Sequence, residues 1–323
     1  MNVVFTCGGT AGHINPAIAV ANIWKERHPE GKVLFIGGDD MEMELVPKAG
    51  YELVGFPSAS FCRGLNMHAF RHNARAAGLI TRAISKCKRV LQDFQADVVI
   101  GTGGYASFPA LEAARRLHLP TCVHESNAMP GLTTRMVADW VDRVLICFPE
   151  SAKHYRHPEK AEVVGMPVRR EFLFNDRAKA RKALGIGEDE WVVLSAFGSQ
   201  GAREMNYAVG RMLALEQADG FPFRHIHAVG SYGWDWMGDF VKDQGVDLAK
   251  APRIEMKEYL YNMPTVMAAA DVMISRAGAS TCNEIAAAGI PCVLIPSPNV
   301  TDNHQEKNAL RLEKTGGSVM IKE

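Results

Sequence analysis

Four glycine-rich turns are the segments of this 323-residue chain best suited to chemistry. Each follows a short apolar run and precedes a helical pattern, and the four span residues 7–13, 101–105, 197–203 and 276–281. Because glycine has no side chain, backbone N–H groups can approach a ligand closely, and a helix N-terminus favours an anion such as a diphosphate. One such turn could be only a tight connection. Two in each half predict a ligand site.

The elements that position these turns are strand-length apolar runs alternating with helical patterns. The runs are residues 3–6, 33–36, 98–101, 121–124, 144–147, 192–196, 225–229, 272–275 and 292–295. Helical patterns include 17–27, 109–117, 176–184 and 283–288. This alternation predicts parallel sheets covered by helices, and the pattern restarts after Gly165. We therefore expect an α/β protein with two doubly wound, Rossmann-like domains, residues 1–164 and 165–323, that bind ligands in an interdomain cleft.

Other nucleotide-site classes fit the turns less well. A dinucleotide fingerprint ending at Gly12 would need glycine where Cys7 stands, and we expect Asp39 and Asp40 to cap a helix starting near Met41. No turn ends in the Gly-Lys-Ser/Thr of a P-loop, and no Asp-x-Asp pair offers to bridge a metal to a diphosphate. We expect a site without metal or cofactor, where Arg169 and helix N-termini neutralise the diphosphate.

Composition excludes several classes of protein. Lys plus Arg and Asp plus Glu both total 36, and the pI near 7.2 gives no global basic field for nucleic acid. The seven cysteines contain no Cys-x-x-Cys pair, which favours a reducing compartment and argues against structural zinc. No signal-peptide pattern follows Met1, and no apolar run reaches the about 20 residues of a membrane span. A soluble or peripheral protein is expected.

One local segment favours a membrane surface. Between Leu53 and Gln92 there is no acidic residue, but basic residues occur at Arg63, Arg71, Arg75, Arg82, Lys86, Lys88 and Arg89. Apolar residues recur there near helical spacing, at Phe70, Ala74, Ala77, Ile80 and Ile84. We expect this segment to bind anionic headgroups while its apolar face enters the interface. The alternative is an ordinary helix whose apolar stripe packs on a sheet.

The turns and their neighbours resemble one family closely. The matching motifs are residues 8–16 (GGTAGHINP), 103–105 (GGY), 124–127 (HESN), 198–203 (GSQGAR), 276–281 (RAGAST), 284–291 (EIAAAGIP) and 302–308 (DNHQEKN). In this order they resemble the MurG family, transferases that move N-acetylglucosamine (GlcNAc) from UDP-GlcNAc onto lipid I to form lipid II for peptidoglycan. The resemblance implies a GT-B fold, with the acceptor on the N-terminal domain and the donor on the C-terminal domain.

The resemblance also implies a donor site in the second domain. Arg169 and Ser199 would hold the phosphates, and Glu284 would accept the ribose hydroxyls. The helix start at Ala279, Ser280 and Thr281 would donate backbone N–H groups, Tyr259 and Leu260 would contact uracil, and Gln305 and Asn308 would bind sugar hydroxyls. Alternatively, Glu284 is a helix-surface carboxylate and Tyr259 a core residue.

In the first domain, the resemblance implies an acceptor site. Its candidate residues are Thr10, Gly12, His13, Tyr105, Glu125 and Asn127. An inverting transfer needs a base for the attacking C4 hydroxyl, and His13 titrates in a suitable range beside a glycine turn. His13 is therefore the expected base, or it positions the diphosphate of lipid I. Glu125 is the rival base, and His13 could instead only hydrogen-bond the turn.

Some features depart from the family pattern. Phe197 stands where a glycine is common and could narrow the approach to the donor phosphate, His304 replaces a common glutamine, and family members continue beyond Glu323. Alternative functions are another GT-B glycosyltransferase, a UDP-GlcNAc 2-epimerase, or a non-catalytic UDP-sugar-binding module. The expected partners are UDP-GlcNAc, undecaprenyl-linked lipid I, an anionic membrane and cell-wall synthesis proteins, with no nucleic acid. The expected location is peripheral, on the cytoplasmic face of the membrane.

Overall fold

The chain forms two compact units, Met1–Arg169 and Arg170–Glu323. The computed structural model describes residues 1–57, 67–300 and 303–323, and for residues 67–75 it describes the backbone alone. The sequence places the boundary at Gly165, slightly before this division. Arg169, expected in the second domain, is therefore the last residue of the first unit.

The first unit is a seven-stranded parallel sheet with helices. Its strands are β1 (Asn2–Thr6), β2 (Lys32–Gly37), β3 (Leu53–Gly55), β4 (Val98–Gly101), β5 (Thr121–Glu125), β6 (Arg143–Ile146) and β7 (Ala161–Val163). Its helices are α1 (Ala11–Arg27), α2 (Glu42–Lys48), α3 (Met67–Asp93), α4 (Ser107–Arg116) and α5 (Leu132–Ala138). The strand order is β3-β2-β1-β4-β5-β6-β7. The order reverses between β1 and β4, which is where doubly wound sheets bind ligands.

The second unit repeats this plan with six parallel strands. The strands are β8 (Val192–Ala196), β9 (Arg224–Ala228), β10 (Ile254–Lys257), β11 (Val272–Ser275), β12 (Cys292–Leu294) and β13 (Ser318–Met320). The helices are α6 (Glu171–Phe174), α7 (Arg177–Leu184), α8 (Arg203–Ala218), α9 (Trp234–Asp243), α10 (Met263–Ala269), α11 (Ala279–Ala288) and α12 (His304–Glu313). The strand order β10-β9-β8-β11-β12-β13 reverses between β8 and β11. The prediction of two doubly wound, Rossmann-like sheets is confirmed.

The strands that the sequence did not predict are β3, β7, β10 and β13, which form the edges of the two sheets. Most of their residues are partly or fully exposed, so they lack the continuous apolar run of a strand buried on both faces. The interior strands, such as β1 with Val3, Val4 and Phe5 fully buried, carry that run.

Helix α3 packs its apolar side into the core of the first unit and contacts α4. Ile84 is buried in the core, Ile80 packs partly against that core, and Ala77 is exposed. In this part of the helix the predicted membrane-facing stripe is therefore wrong, because these isoleucines pack in the core of the first unit. The remaining predicted positions fall outside the described residues or side chains: Arg63, Phe70, Arg71, Ala74 and Arg75. Within the described part of the chain, none of the helices is long and apolar enough to span a bilayer.

The glycine turns of each unit pack backbone against backbone. Gly104, at φ +80°, leaves no room for a side chain, because a Cβ there would lie 2.3 Å from the Gly8 carbonyl oxygen. In the second unit a Cβ on Gly201 would lie 2.1 Å from the Val229 carbonyl oxygen. The turn after β1 is thus fixed by the turn after β4, and the turn after β8 by the turn after β9.

Substituting Gly104→Ala should destabilise the chain by about 3 kcal/mol or more, since the positive φ alone costs an L-residue about 1–2 kcal/mol and the neighbouring atom is backbone. The matched control is Gly50→Ala, at φ +85° with nothing within 4 Å of its Cβ position. Gly50→Ala should lower the free energy of unfolding only by the cost of placing an L-residue at positive φ. Urea denaturation of both variants measures the difference, and equal midpoints would contradict the close backbone contact.

Candidate functional site

His13 lies at the switch point of the first sheet, in the first turn of α1. Thr10 is the N-cap residue, and its carbonyl accepts hydrogen bonds from the N–H groups of His13 (3.0 Å) and Ile14 (3.2 Å). From the turn after β4, the Thr102 hydroxyl donates to the His13 carbonyl at 2.6 Å. Two neighbouring strand ends therefore fix the His13 backbone.

The half-buried His13 ring lies against the second glycine turn. A Cβ on Gly103, at φ +105°, would lie 2.6 Å from Nδ1, so only glycine leaves space for the ring. Nδ1 is buried and has no hydrogen-bond partner among the described residues. Burial lowers the pKa of His13 below its ordinary 6.5, while the Glu125 carboxylate, a hydrogen bond with the Thr102 backbone and the Glu42 carboxylate oppose that shift. A neutral imidazole near neutral pH can accept a proton.

Glu125, the rival base, ends β5 and holds the loop that follows it. Oε1 accepts hydrogen bonds from the backbone N–H of Asn127 (2.9 Å) and from its Nδ2 (3.0 Å), and Oε2 accepts one from the Gly131 N–H (2.9 Å). Both oxygens of this buried carboxylate are thus engaged. These hydrogen bonds orient Asn127 and the loop after β5. A general base is expected to present a carboxylate oxygen to the substrate, and Glu125 uses both of its oxygens within the protein.

Tyr105 connects the turn after β4 with the segment between β2 and α2. Its hydroxyl donates to Asp40 Oδ2 at 2.8 Å, and its ring passes close to Gly9. The prediction that Asp39 and Asp40 cap α2 is wrong in its position, because the N-cap residue is Met41, whose side chain makes no cap hydrogen bond. Thr10 is exposed and Gly12 half-buried in the turn beside Tyr105.

Glu42 is a residue that the sequence analysis missed. It is the first residue of α2, is fully buried, and accepts a hydrogen bond from the Gly9 N–H at Oε2 (3.1 Å). A single glutamate at the start of a helix is ordinary in sequence, because acids favour the positive end of the dipole. Only the fold reveals that this carboxylate lies under the glycine turn.

In the second unit, Ser199 lies half-buried in the turn after β8. The neighbouring Phe197 side chain is buried in the core with Met205 and Val209. The expectation that its ring narrows the phosphate approach is wrong, because the ring points into the core. Arg169, the proposed cation, is half-buried in the first unit.

Helix α11 begins directly at the glycine turn after β11. Gly278 is its N-cap residue, and the first turn holds the expected Ala279, Ser280 and Thr281. Glu284 lies four residues after Ser280 and therefore on the same face of the helix. The positive end of the helix dipole and this half-buried carboxylate thus share one face beside the turn.

Two amide side chains of α12 hold the neighbouring loops. Asn308 is buried and its Nδ2 donates to the Ala277 carbonyl at 3.0 Å, while Gln305 Oε1 accepts from the Ser297 N–H at 2.9 Å. Each side-chain amide therefore has one of its polar atoms hydrogen-bonded to the backbone of a neighbouring loop. His304 is half-buried at the start of α12, and Asp302 lies outside the described residues.

Tyr259 and Leu260 follow β10 at the same carboxyl edge of the second sheet. Leu260 is buried, whereas Tyr259 is half-buried and packs edge-to-face on Tyr261 with ring centroids 4.8 Å apart. Tyr259 therefore keeps an accessible part of its ring. In the portion of the chain that the structure describes, no three His, Cys, Asp or Glu side chains are grouped to hold a metal ion.

Comparison with known proteins agrees with this architecture. Residues 3–146 match the glycosyltransferase family 28 N-terminal domain, and residues 192–323 match the C-terminal domain of that family. A relative from Acetivibrio thermocellus, named UDP-N-acetylglucosamine–N-acetylmuramyl-(pentapeptide) pyrophosphoryl-undecaprenol N-acetylglucosamine transferase, is 39% identical over 100% of this chain and 85% of its own length.

Solved structures share the fold at lower identity. Acinetobacter baumannii MurG aligns with a TM-score of 0.63 at 24% identity, covering 99% of this chain and 86% of that one. A UDP-GlcNAc 2-epimerase from Neisseria meningitidis, bound to UDP-GlcNAc, also gives 0.63, at 14% identity over 96% of this chain and 85% of its own. On the sequence match across its whole length, the chain belongs to glycosyltransferase family 28 and, within it, to the MurG family.

Proposed function

We propose that this chain transfers GlcNAc from UDP-GlcNAc to the C4 hydroxyl of the N-acetylmuramyl sugar of lipid I, producing lipid II and UDP. The observation that carries the proposal is the 39% identity, over the whole chain, to a relative named for that transfer. The likeness to a UDP-GlcNAc 2-epimerase, at 14% identity, concerns the fold alone. It does not favour an epimerase.

The second unit, with Arg169, is the proposed donor site. The N-terminus of α11 offers backbone N–H groups and the positive end of its dipole to the diphosphate, and Arg169 and Ser199 add a cation and a hydroxyl. Glu284, on the Ser280 face, would accept the ribose hydroxyls. Uracil would lie against Tyr259 and Leu260, and the sugar hydroxyls would meet Gln305 and Asn308. Stabilisation of the leaving diphosphate by such fixed groups needs no metal.

The first unit is the proposed acceptor site. The C4 oxygen of the acceptor attacks C1 of GlcNAc, and the bond from C1 to the UDP oxygen breaks with its electron pair going to UDP. Attack opposite the leaving group inverts C1 and forms a β-1,4 bond. His13 takes the hydroxyl proton, through Nε2 because Nδ1 is buried against Gly103. Thr10, Gly12, Tyr105 and Asn127 would orient the acceptor, with Glu125 holding the Asn127 loop.

Replacing the base should slow turnover without weakening donor binding. For His13→Ala we expect a fall in kcat of about 100-fold or more, the usual contribution of a general base, with little change in the KM for UDP-GlcNAc. Because burial lowers the pKa of His13, the wild-type rate should hold below pH 6.5 and fall only at more acidic pH. Transfer of labelled GlcNAc to a lipid I analogue measures both.

Glu125→Gln tests the rival base in the same assay. An amide can replace only one of the two acceptor oxygens that hold Asn127 and Gly131, so we expect mainly a raised KM for the acceptor. Near-normal turnover of His13→Ala together with complete loss in Glu125→Gln would reverse the assignment.

We also propose that α3 brings the enzyme to the membrane from the cytoplasmic side. Arg82, Lys88 and Arg89 are exposed on this helix, and Lys86 is exposed while its Nζ donates to the Gly55 carbonyl at 2.6 Å. Since Ile80 and Ile84 pack in the core of the first unit, attraction to the membrane rests on positive charge rather than on an inserted apolar stripe. Contacts with other cell-wall synthesis proteins would be made on the same membrane.

Changing Arg82, Lys88 and Arg89 together to serine should reduce binding to phosphatidylglycerol vesicles by about 100-fold, at about 1 kcal/mol for each basic residue. The matched control changes the exposed Lys182, Arg211 and Lys242 of the second unit. Vesicle sedimentation measures binding. Wild-type binding that does not depend on the anionic lipid content would remove the membrane proposal.

A further inference from the structure

A fully buried carboxylate lies beneath the first glycine turn, and the reaction derived above does not use it. Glu42 has no exposed surface, although glutamate is rarely buried without a charged partner. Its Oε2 accepts the Gly9 N–H at 3.1 Å, and Oε1 has no hydrogen-bond partner among the described residues. Burying such a group costs stability, so its position calls for an explanation.

The surrounding backbone is shaped around this side chain. A Cβ on Gly8 would lie 2.6 Å from Glu42 Oε1, and a Cβ on Gly37 would lie 2.8 Å from Glu42 Cγ. Gly9, the hydrogen-bond donor, has φ +88°. Three glycines from two strand ends therefore make room for the carboxylate, whose hydrogen bond sets the direction in which the Gly9 N–H points.

The charge of Glu42 also acts on its neighbours. The carboxylate raises the pKa of the Cys7 thiol, after the larger effect of burial, and it opposes the lowering of the His13 pKa that burial causes. The other titratable groups near His13 are Glu125 and His124, both from the end of β5. Glu125 already has both oxygens on N–H donors. Of the two carboxylates that act on His13, only Glu42 has a buried oxygen without a hydrogen-bond partner among the residues described.

We propose that Glu42 is a positioning residue for the transfer: its carboxylate fixes the Gly8-Gly9 turn, and its negative charge favours the protonated form of His13 as that ring takes the acceptor proton. The inference rests on the proposed function. It differs from a purely structural role of Glu42 in requiring the charge as well as the hydrogen bond.

Three variants of the full chain separate these roles. Glu42→Gln keeps an oxygen for the Gly9 N–H and removes the charge, whereas Glu42→Asp keeps the charge on a side chain too short to reach Gly9. The matched control is Glu44→Gln, on the same helix, where the carboxylate is exposed and pairs with Lys48 at 2.7 Å. The readouts are kcat, the KM for UDP-GlcNAc and for a lipid I analogue, and the pH profile of kcat/KM for the acceptor.

For Glu42→Gln we expect kcat to fall about tenfold, with the KM for UDP-GlcNAc within about twofold of wild type, as for loss of one positioning contact. Removing a nearby negative charge lowers the pKa of His13, so the acidic limb of the pH profile should move down by about half a pH unit or more. Glu42→Asp should lower kcat while keeping the wild-type limb. Glu44→Gln should match wild type.

An unmoved acidic limb in Glu42→Gln, whatever its kcat, overturns the inference, because removing a negative charge that acts on His13 must lower the pKa of that ring. If thermal unfolding shows that Glu42→Gln does not fold, Glu42→Asp decides, because it keeps the charge and loses the hydrogen bond to Gly9. A wild-type kcat, or an acidic limb displaced from its wild-type position, overturns the inference, and a reduced kcat with the wild-type limb supports it. A wild-type chain that transfers no GlcNAc would instead refute the proposed function, which keeps the two failures distinct.

Discussion

The backbone of one glycine turn lies directly on the backbone of the next at the carboxyl ends of the central strands. In the first unit Gly104 meets the Gly8 carbonyl, and in the second Gly201 meets the Val229 carbonyl. No side chain larger than hydrogen fits either contact. The positions of His13 and Ser199 depend on it, because each lies in or just after a turn held in this way.

Side chains on adjacent elements fix the turns further, and the two units use different chemistry to do so. In the first unit carboxylates fix the turns: Glu42 accepts a hydrogen bond from the Gly9 N–H and Glu125 accepts one from the Gly131 N–H. In the second unit neutral amides fix the turns: Asn308 donates a hydrogen bond to the Ala277 carbonyl and Gln305 accepts one from the Ser297 N–H. If His13 becomes cationic in the transfer, as we propose, carboxylates suit the first unit. If the second unit binds the diphosphate, as we also propose, amides suit it because they add no negative charge.

The sequence predicts the interior strands because they are short runs rich in apolar residues, and it predicts the four turns because glycines follow four of those runs. The edge strands β3, β7, β10 and β13 carry no such run and were not predicted. The sequence also could not foresee that Asp40 would bind Tyr105, 65 residues away, instead of capping α2. Glu42 was missed for the same reason, since its partner Gly9 is brought near only by the sheet.

We propose that the chain transfers GlcNAc to an acceptor while its own dipoles and cations stabilise the leaving diphosphate. This is tested most directly by measuring UDP release from UDP-GlcNAc in the presence of EDTA, with and without a lipid I analogue. We expect UDP release that requires the analogue and survives EDTA. Release that stops with EDTA, release without any acceptor, or no release despite measurable UDP-GlcNAc binding would contradict it.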